Sequence, residues 1–283
     1  MEREKIEWVV LSSDTAIVAT GAGQVWFQAL GECPEISPFS VPMTGEGSPQ
    51  TTALLLNGAV ELVFRKYGCE VQESLATLPK YVFNLVCTYH NSSRTPGHYR
   101  QAANRFREIG RPEVADYLEK HAREETGHDR LALKDLRALN LEAERLIENL
   151  IPEGMKTLCD LFDRLSSEDY PIGCIGYSYC FESTAALKQK SDVGAMQALC
   201  PEGVDASRFM RSHSSLGKEV EHVEDLVNFI AGLPAADRIA IVQVTYETAI
   251  LLAECLHGEG RMTDEEILAQ LEAAAGEPIQ INA

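Results

Sequence analysis

Long hydrophobic runs, paired cysteines and positive charge are all scarce in this sequence. Apolar runs such as Ala53 to Leu56 and Ala249 to Ala253 fall far short of the roughly 18 to 20 residues that a membrane span requires. Nothing in the chain is therefore expected to cross a bilayer. The opening Met-Glu-Arg-Glu-Lys-Ile-Glu has no basic region followed by an apolar one, and it is too acidic for a transit peptide. A cytoplasmic location follows. None of the eight cysteines, Cys33, Cys69, Cys87, Cys159, Cys174, Cys180, Cys200 and Cys255, falls in a Cys-x-x-Cys pair, which excludes zinc knuckles and thioredoxin-like motifs. They read as reduced and mostly buried. Lys and Arg total 25 against 43 Asp and Glu, a net charge of -18, whereas binding a polyanion needs clustered basic residues. Nucleic acid is not an expected partner.

What is present is enough apolar material, 45% over 283 residues, for one large core with a small appended unit. Residues 7–29 mix β-branched and aromatic residues with turn formers (Trp8 to Leu11, Ala16 to Val18, Val25 to Phe27) and predict two or three short strands. A stretch rich in Pro, Gly and Ser follows from Gly31 to Gln50. It divides an N-terminal extension, 1–48, from a helical domain, 49–283. The later periodicity predicts helices near 51–67, 72–90, 96–108, 112–140, 142–165, 171–188, 193–199, 205–232, 235–257 and 263–275. The fold class is all-α.

Polar residues interrupt the core-facing side of three of these helices. With Glu125 at zero on a wheel of about 100° per residue, Val114, Leu118, Ala132 and Leu136 lie within about 20° of it. His121 and His128 lie within about 60°. A carboxylate aimed at a core is costly unless paired or bound to a metal, and the adjacent imidazoles favour metal. The second interruption is Glu182, the one acid in an otherwise uncharged run from Pro171 to Leu187. It shares a face with Tyr179, placed to donate to it, and fits a metal ligand or a catalytic acid or base. The third is Glu219 with His222, within the stripe of Leu216, Val220, Val223, Leu226, Val227 and Ile230. His213 lies about 180° from His222 on a regular helix, so it reaches the same cluster only if the helix is distorted, with Gly217 the weak point.

Glu125-x-x-His128, Glu182 and Glu219-x-x-His222 are the inventory from which helix bundles build dinuclear iron sites. The phrases Glu124-Glu-Thr-Gly-His128, Gly176-Tyr-Ser-Tyr-Cys-Phe-Glu182 and Ser212-His-Ser-Ser-Leu-Gly-Lys-Glu-Val-Glu-His222 resemble the haem-oxygenase-like diiron oxidases and oxygenases, over roughly residues 75–257. The resemblance implies a haem-oxygenase-like helical bundle carrying a small β-containing extension. It also implies two non-haem irons, dioxygen as co-substrate, and oxidation of a small amine, amino acid or fatty acid. Glu125, His128, Glu182, Glu219 and His222 would be ligands, with Glu182 central and Tyr179 beside it. The family's later-helix pattern is His-x-x-x-Asp-x-x-His, whereas this sequence has Ser215 and Glu219 at the first two positions. One iron is then a ligand short unless His213 supplies it. An external electron donor and a homodimer are compatible with the sequence.

The same bundle carries metal-free enzymes, TenA-type hydrolases and cofactorless oxidases. Cys180 would be the nucleophile under the hydrolase reading, but it points about 200° away from Glu182 on a helix.

Overall fold

The computed structural model describes residues 6–30, 39, 41–68, 77–188, 190–214 and 219–279, with Glu219 described by its backbone alone. Three short strands, β1 (Ile6–Val10), β2 (Thr15–Thr20) and β3 (Val25–Ala29), form an antiparallel sheet in the order β1-β2-β3. Trp8 pairs with Val18 and Ile17 with Phe27. β2 is buried on both faces, from Ala16 to Ala19, so it reads as a continuous apolar run rather than an alternation.

The rest of the fold is helical: α1 (Pro49–Tyr67), α2 (Leu78–Glu108), α3 (Pro112–Glu125), α4 (Asp129–Ala138), α5 (Ala143–Asn149), α6 (Glu153–Ser166), α7 (Gly173–Ala186), α8 (Lys190–Leu199), α9 (Arg208–Ser212), α10 (Glu219–Ala231), α11 (Ala235–Arg261) and α12 (Asp264–Ala275). The ends follow local chemistry. Ser48 caps α1 by accepting from the Thr51 amide, and Gly68 ends it in the left-handed region, where a side chain would be strained. Thr263 and Glu266 form a capping box at α12, the reciprocal pairing that satisfies two free amides.

The helices differ from the sequence expectation at four breaks, one of them before Pro152, where the predicted helix 142–165 is two, α5 and α6. The separate helices predicted near 72–90 and 96–108 are one, α2, which runs through Pro96. Side-chain hydroxyls take up local carbonyls there: Thr95 donates to Asn91 O at 2.9 Å and Ser93 to His90 O at 3.2 Å. The predicted single helix 112–140 is instead two, because Gly127 adopts φ 97°. The predicted helix 205–232 is also two, α9 and α10, with residues 215–218, including Ser215 and Gly217, outside the described residues.

α11 packs against α1, α6 and α7 at the centre of the bundle. An 18-residue window of it has a mean hydropathy of 1.6, so by length and composition alone it is apolar enough to cross a membrane. The short-run criterion passes over it because Gln243, Thr245 and Tyr246 interrupt the apolar residues. Gly176 lets α7 approach it: a Cβ there would sit 2.4 Å from Ile241 O, and Thr245 Oγ1 donates to Gly176 O at 3.1 Å.

The sheet is tied to this core by charge as well as by packing. Arg238, 2% exposed at the start of α11, donates to Glu7 Oε1 of β1 at 2.7 Å and to Leu233 O at 2.8 Å. Thr51 of α1 donates to the other Glu7 oxygen. Removing one member of a buried pair leaves the other charge without compensation. Glu7→Ala should therefore lower the unfolding free energy by about 3 to 5 kcal/mol, read as a drop in the midpoint of urea denaturation, whereas a surface acid such as Glu61→Ala should change it little.

Candidate metal centre

α3 ends on Glu125, and the turn through Thr126 and Gly127 delivers His128 to the start of α4. His128 N donates to Glu125 O at 3.2 Å, and the His128 ring lies 3.0 Å, Nδ1 to Oε2, from the Glu125 carboxylate. The Glu-x-x-His pair thus acts through a turn rather than on a continuous helix.

His213 comes from the other side. α9 is only five residues long and is held by a buried acid of α4: Asp135, 0% exposed, accepts from Phe209 N at 2.8 Å and from Arg208 Nη1 at 3.0 Å. His213 caps the C-terminus of α9, and its ring lies 4.5 Å from that of His128. One ligand atom each of Glu125, His128 and His213 all lie within 4.8 Å of one another. Burial works to raise the Glu125 pKa, but the His128 hydrogen bond and the fields of His213, His128 and His121 outweigh it and hold the carboxyl below its usual range.

Glu182 approaches from α7. Its Oε1 accepts from Ser178 Oγ at 3.0 Å and lies 3.6 Å from His121 Nδ1. Ser178 in turn is hydrogen-bonded to the Tyr99 hydroxyl on α2. The expected donor, Tyr179, is turned elsewhere: its hydroxyl donates to Asn57 Oδ1 on α1 at 2.7 Å. The residue one full turn before Glu182 is Ser178, whose short side chain stays on the helix surface, while the long phenol of Tyr179 reaches the neighbouring helix.

His121 is the residue of this cluster that the sequence reading noted on the wheel but did not count as a site residue. It is 4% exposed and its Nε2 has no hydrogen-bond partner among the described residues. Tyr117 and Tyr99 pack against its ring, at centroid distances of 4.5 and 6.0 Å, and His222 of α10 lies at 6.4 Å. Tyr117 itself stacks on Phe229 at 3.8 Å. Burial lowers the His121 pKa to about 4, with Glu125 opposing and His222 adding to the shift. Near neutral pH the imidazole is uncharged and has a lone pair to give. His222 is close to His121 and does not belong to the group of ligand atoms that Glu125, His128 and His213 form. Glu219 opens α10, but its side chain lies outside the described residues.

A cavity of about 140 Å³ reaches this cluster, with Glu125, Glu182, His213, Ser178 and Tyr99 among its lining. Cys180 does not line it, and full burial pushes its thiol far up.

Comparisons with known proteins reach the fold and stop there. No protein-family model matches the sequence, and no curated protein is found similar to it. Among solved structures, a domain of unknown function with a haem oxygenase-like fold from Shewanella denitrificans matches with TM-score 0.52 and 17% identity, covering 74% of this chain and 89% of that one. A TenA homolog from Pseudomonas syringae pv. tomato matches with TM-score 0.55 and 13% identity, covering 76% of this chain and 99% of that one. The chain is an all-helical protein of haem oxygenase-like fold with a small N-terminal sheet.

His121 has a measurable signature. The unfolded chain takes a proton on this group below its ordinary 6.5, the folded chain only below about 4. Between those values the unfolded state binds more protons, so stability falls as pH falls. In metal-free protein this accounts for about 3 kcal/mol between neutral pH and pH 4. His121→Gln should flatten the pH dependence of urea unfolding over that window by a comparable amount. An unchanged slope would mean that His121 is not held neutral.

Proposed function

We propose that this chain is a non-haem iron protein that uses dioxygen to oxidise a small molecule. The observation that carries the reading is the gathering of Glu125, His128 and His213 from three helix ends at a cavity that Glu182 also lines. Carboxylate oxygen with imidazole nitrogen suits iron or manganese rather than soft metals. His121 beside Glu182 offers further donors of the same chemistry, and the His222 ring lies 6.4 Å from that of His121. Glu125, His128 and His213 would hold one iron, and a second would draw on Glu182 and His121. Iron, when bound, supplies the open coordination positions at which dioxygen is activated.

The chain's own residues do the rest. Tyr99 and Ser178 orient the Glu182 carboxylate through successive hydrogen bonds, as outer partners orient ligands in metal sites generally. Tyr117, stacked on Phe229, packs against the His121 ring. The cavity admits a small molecule and no more. The resemblance of the three sequence phrases to diiron oxidases supports the same reading.

One observation favours a second reading, a metal-free hydrolase of the kind the TenA homolog suggests. Two thiols line the cavity, Cys87 and Cys255, and Cys255 Sγ donates to Glu259 Oε1 at 2.9 Å. Cys255 with Glu259, rather than Cys180, would then be the nucleophile and base. Burial pushes the Cys255 thiol far up, which is the wrong direction for a resting nucleophile.

The deciding experiment is iron analysis after anaerobic loading with ferrous ion, followed by mixing with oxygenated buffer under stopped flow. Bound iron and an oxygen-dependent absorbance change are expected. Glu182→Ala should lose most of the iron while its far-ultraviolet circular dichroism stays that of the parent, and His213→Ala should lose iron to the same extent as His222→Ala. A parent protein that binds no iron, while Cys255→Ser abolishes a hydrolytic activity, would transfer the assignment to the second reading.

A further inference from the structure

The cavity has an end that the proposed metal centre does not use. One face of α2 lines it at i, i+3 and i+4 spacing, from Asn84 and Cys87 through Asn91 and Thr95 to Tyr99. The helix rises about 18 Å between Cys87 and Tyr99 at about 1.5 Å per residue. Tyr99 marks the Glu182 end, through Ser178. Cys87 marks the other, where its Sγ and that of Cys255 both donate to Glu259 Oε1, at 3.4 and 2.9 Å. A cavity of about 140 Å³ spread along such a face is a channel rather than a bowl. It suits an unbranched chain, against the apolar walls of Leu252, Leu256 and Phe181.

Glu259 is an unusual group to find there. Burial raises its pKa, opposed only by the two thiol hydrogen bonds, and no ion pair reaches it among the described residues. The neighbouring cation, Lys80, is engaged with the Gly260 carbonyl at 3.1 Å. Thiols are weak donors, and a carboxylate removed from water needs a cation or a proton to complete it. Other acids of the interior have stronger partners: Glu7 has Arg238, Asp135 has Arg208 and a backbone amide, and Asp237 has Arg111. Glu259 lines the channel and has no such partner among the described residues.

We propose that this end of the channel is a cation subsite, in which Glu259 takes the ammonium group of an unbranched primary amine whose chain lies along α2 toward Glu182 and His213. The assignment of that amine as the molecule oxidised rests on the preceding reading; the subsite itself does not require iron. Lys188 also lines the cavity and would instead favour an anionic head group, so the sign of the charge preference is the issue to be measured.

The test is titration calorimetry of iron-free full-length protein near neutral pH with octylamine, 1-octanol and octanoate. Octylamine should bind at least about tenfold more tightly than 1-octanol, the scale of one charge-assisted hydrogen bond. Glu259→Gln, which keeps a carbonyl acceptor for both thiols, should erase that preference and leave 1-octanol unchanged. Equal affinities, tighter binding of octanoate, or a preference that survives Glu259→Gln would each overturn the subsite. The comparison in the parent protein decides the matter even where the variant folds poorly. Because no iron is present, failure here leaves the metal centre standing, and absence of iron binding leaves the subsite standing.

Discussion

Placing carboxylates inside a helix bundle is the constraint on which the rest of this architecture turns, because each one must find a partner or surrender its charge. The fold answers in two ways. Glu7 and Asp135 are neutralised by arginine and by backbone or hydroxyl donors, and both serve assembly: Glu7 fastens the sheet to α11, and Asp135 fastens α9 to α4. Glu125 and Glu182 are met by imidazoles instead. An arginine cannot be deprotonated and cannot bind a metal, whereas a neutral imidazole can give up its contact with a carboxylate and share a cation with it. The choice of partner separates the acids that hold the fold from those that can do chemistry.

That separation depends on where helices stop. Glu125 and His128 face one another because α3 ends and Gly127 turns the chain before α4 begins. His213 joins them because α9 ends at Ser212 instead of continuing into α10. A histidine just past the end of a five-residue helix is placed only as well as that helix is anchored, and Asp135, 0% exposed, is the anchor. Structural and chemical acids are coupled through this link: loosening Asp135 would displace His213 without touching the cluster itself.

The interior of the bundle is graded along α2. At one end its face meets imidazoles and two carboxylates, in the middle it presents Asn91 and Thr95 beside apolar walls, and at the other it meets two thiols and Glu259. Pro96 lies within this stretch, and the hydroxyl of the adjacent Thr95, which lines the cavity, donates to the Asn91 carbonyl.

Much of this could be read from the sequence, for definite reasons. The apolar period of 3.6 residues is strong in α3, α4 and α6, β-branched and aromatic residues between turn formers marked the three strands, and the wheel placed Glu125 and Glu182 on buried faces because a lone acid among apolar residues is conspicuous. Spacing also brought His121 into view, since it lies one turn before Glu125. Other features could not be read, because they are relations between elements distant along the chain. Nothing local says that Ser178 rather than Tyr179 serves Glu182, that His121 meets Glu182 from another helix, or that Arg238 pairs with Glu7 across 231 positions. The sequence by itself determined which residues must face inward, since burial follows from periodicity and the cost of exposing apolar surface. Only the tertiary structure decided which of those residues touch, since that depends on how helices cross and where they break.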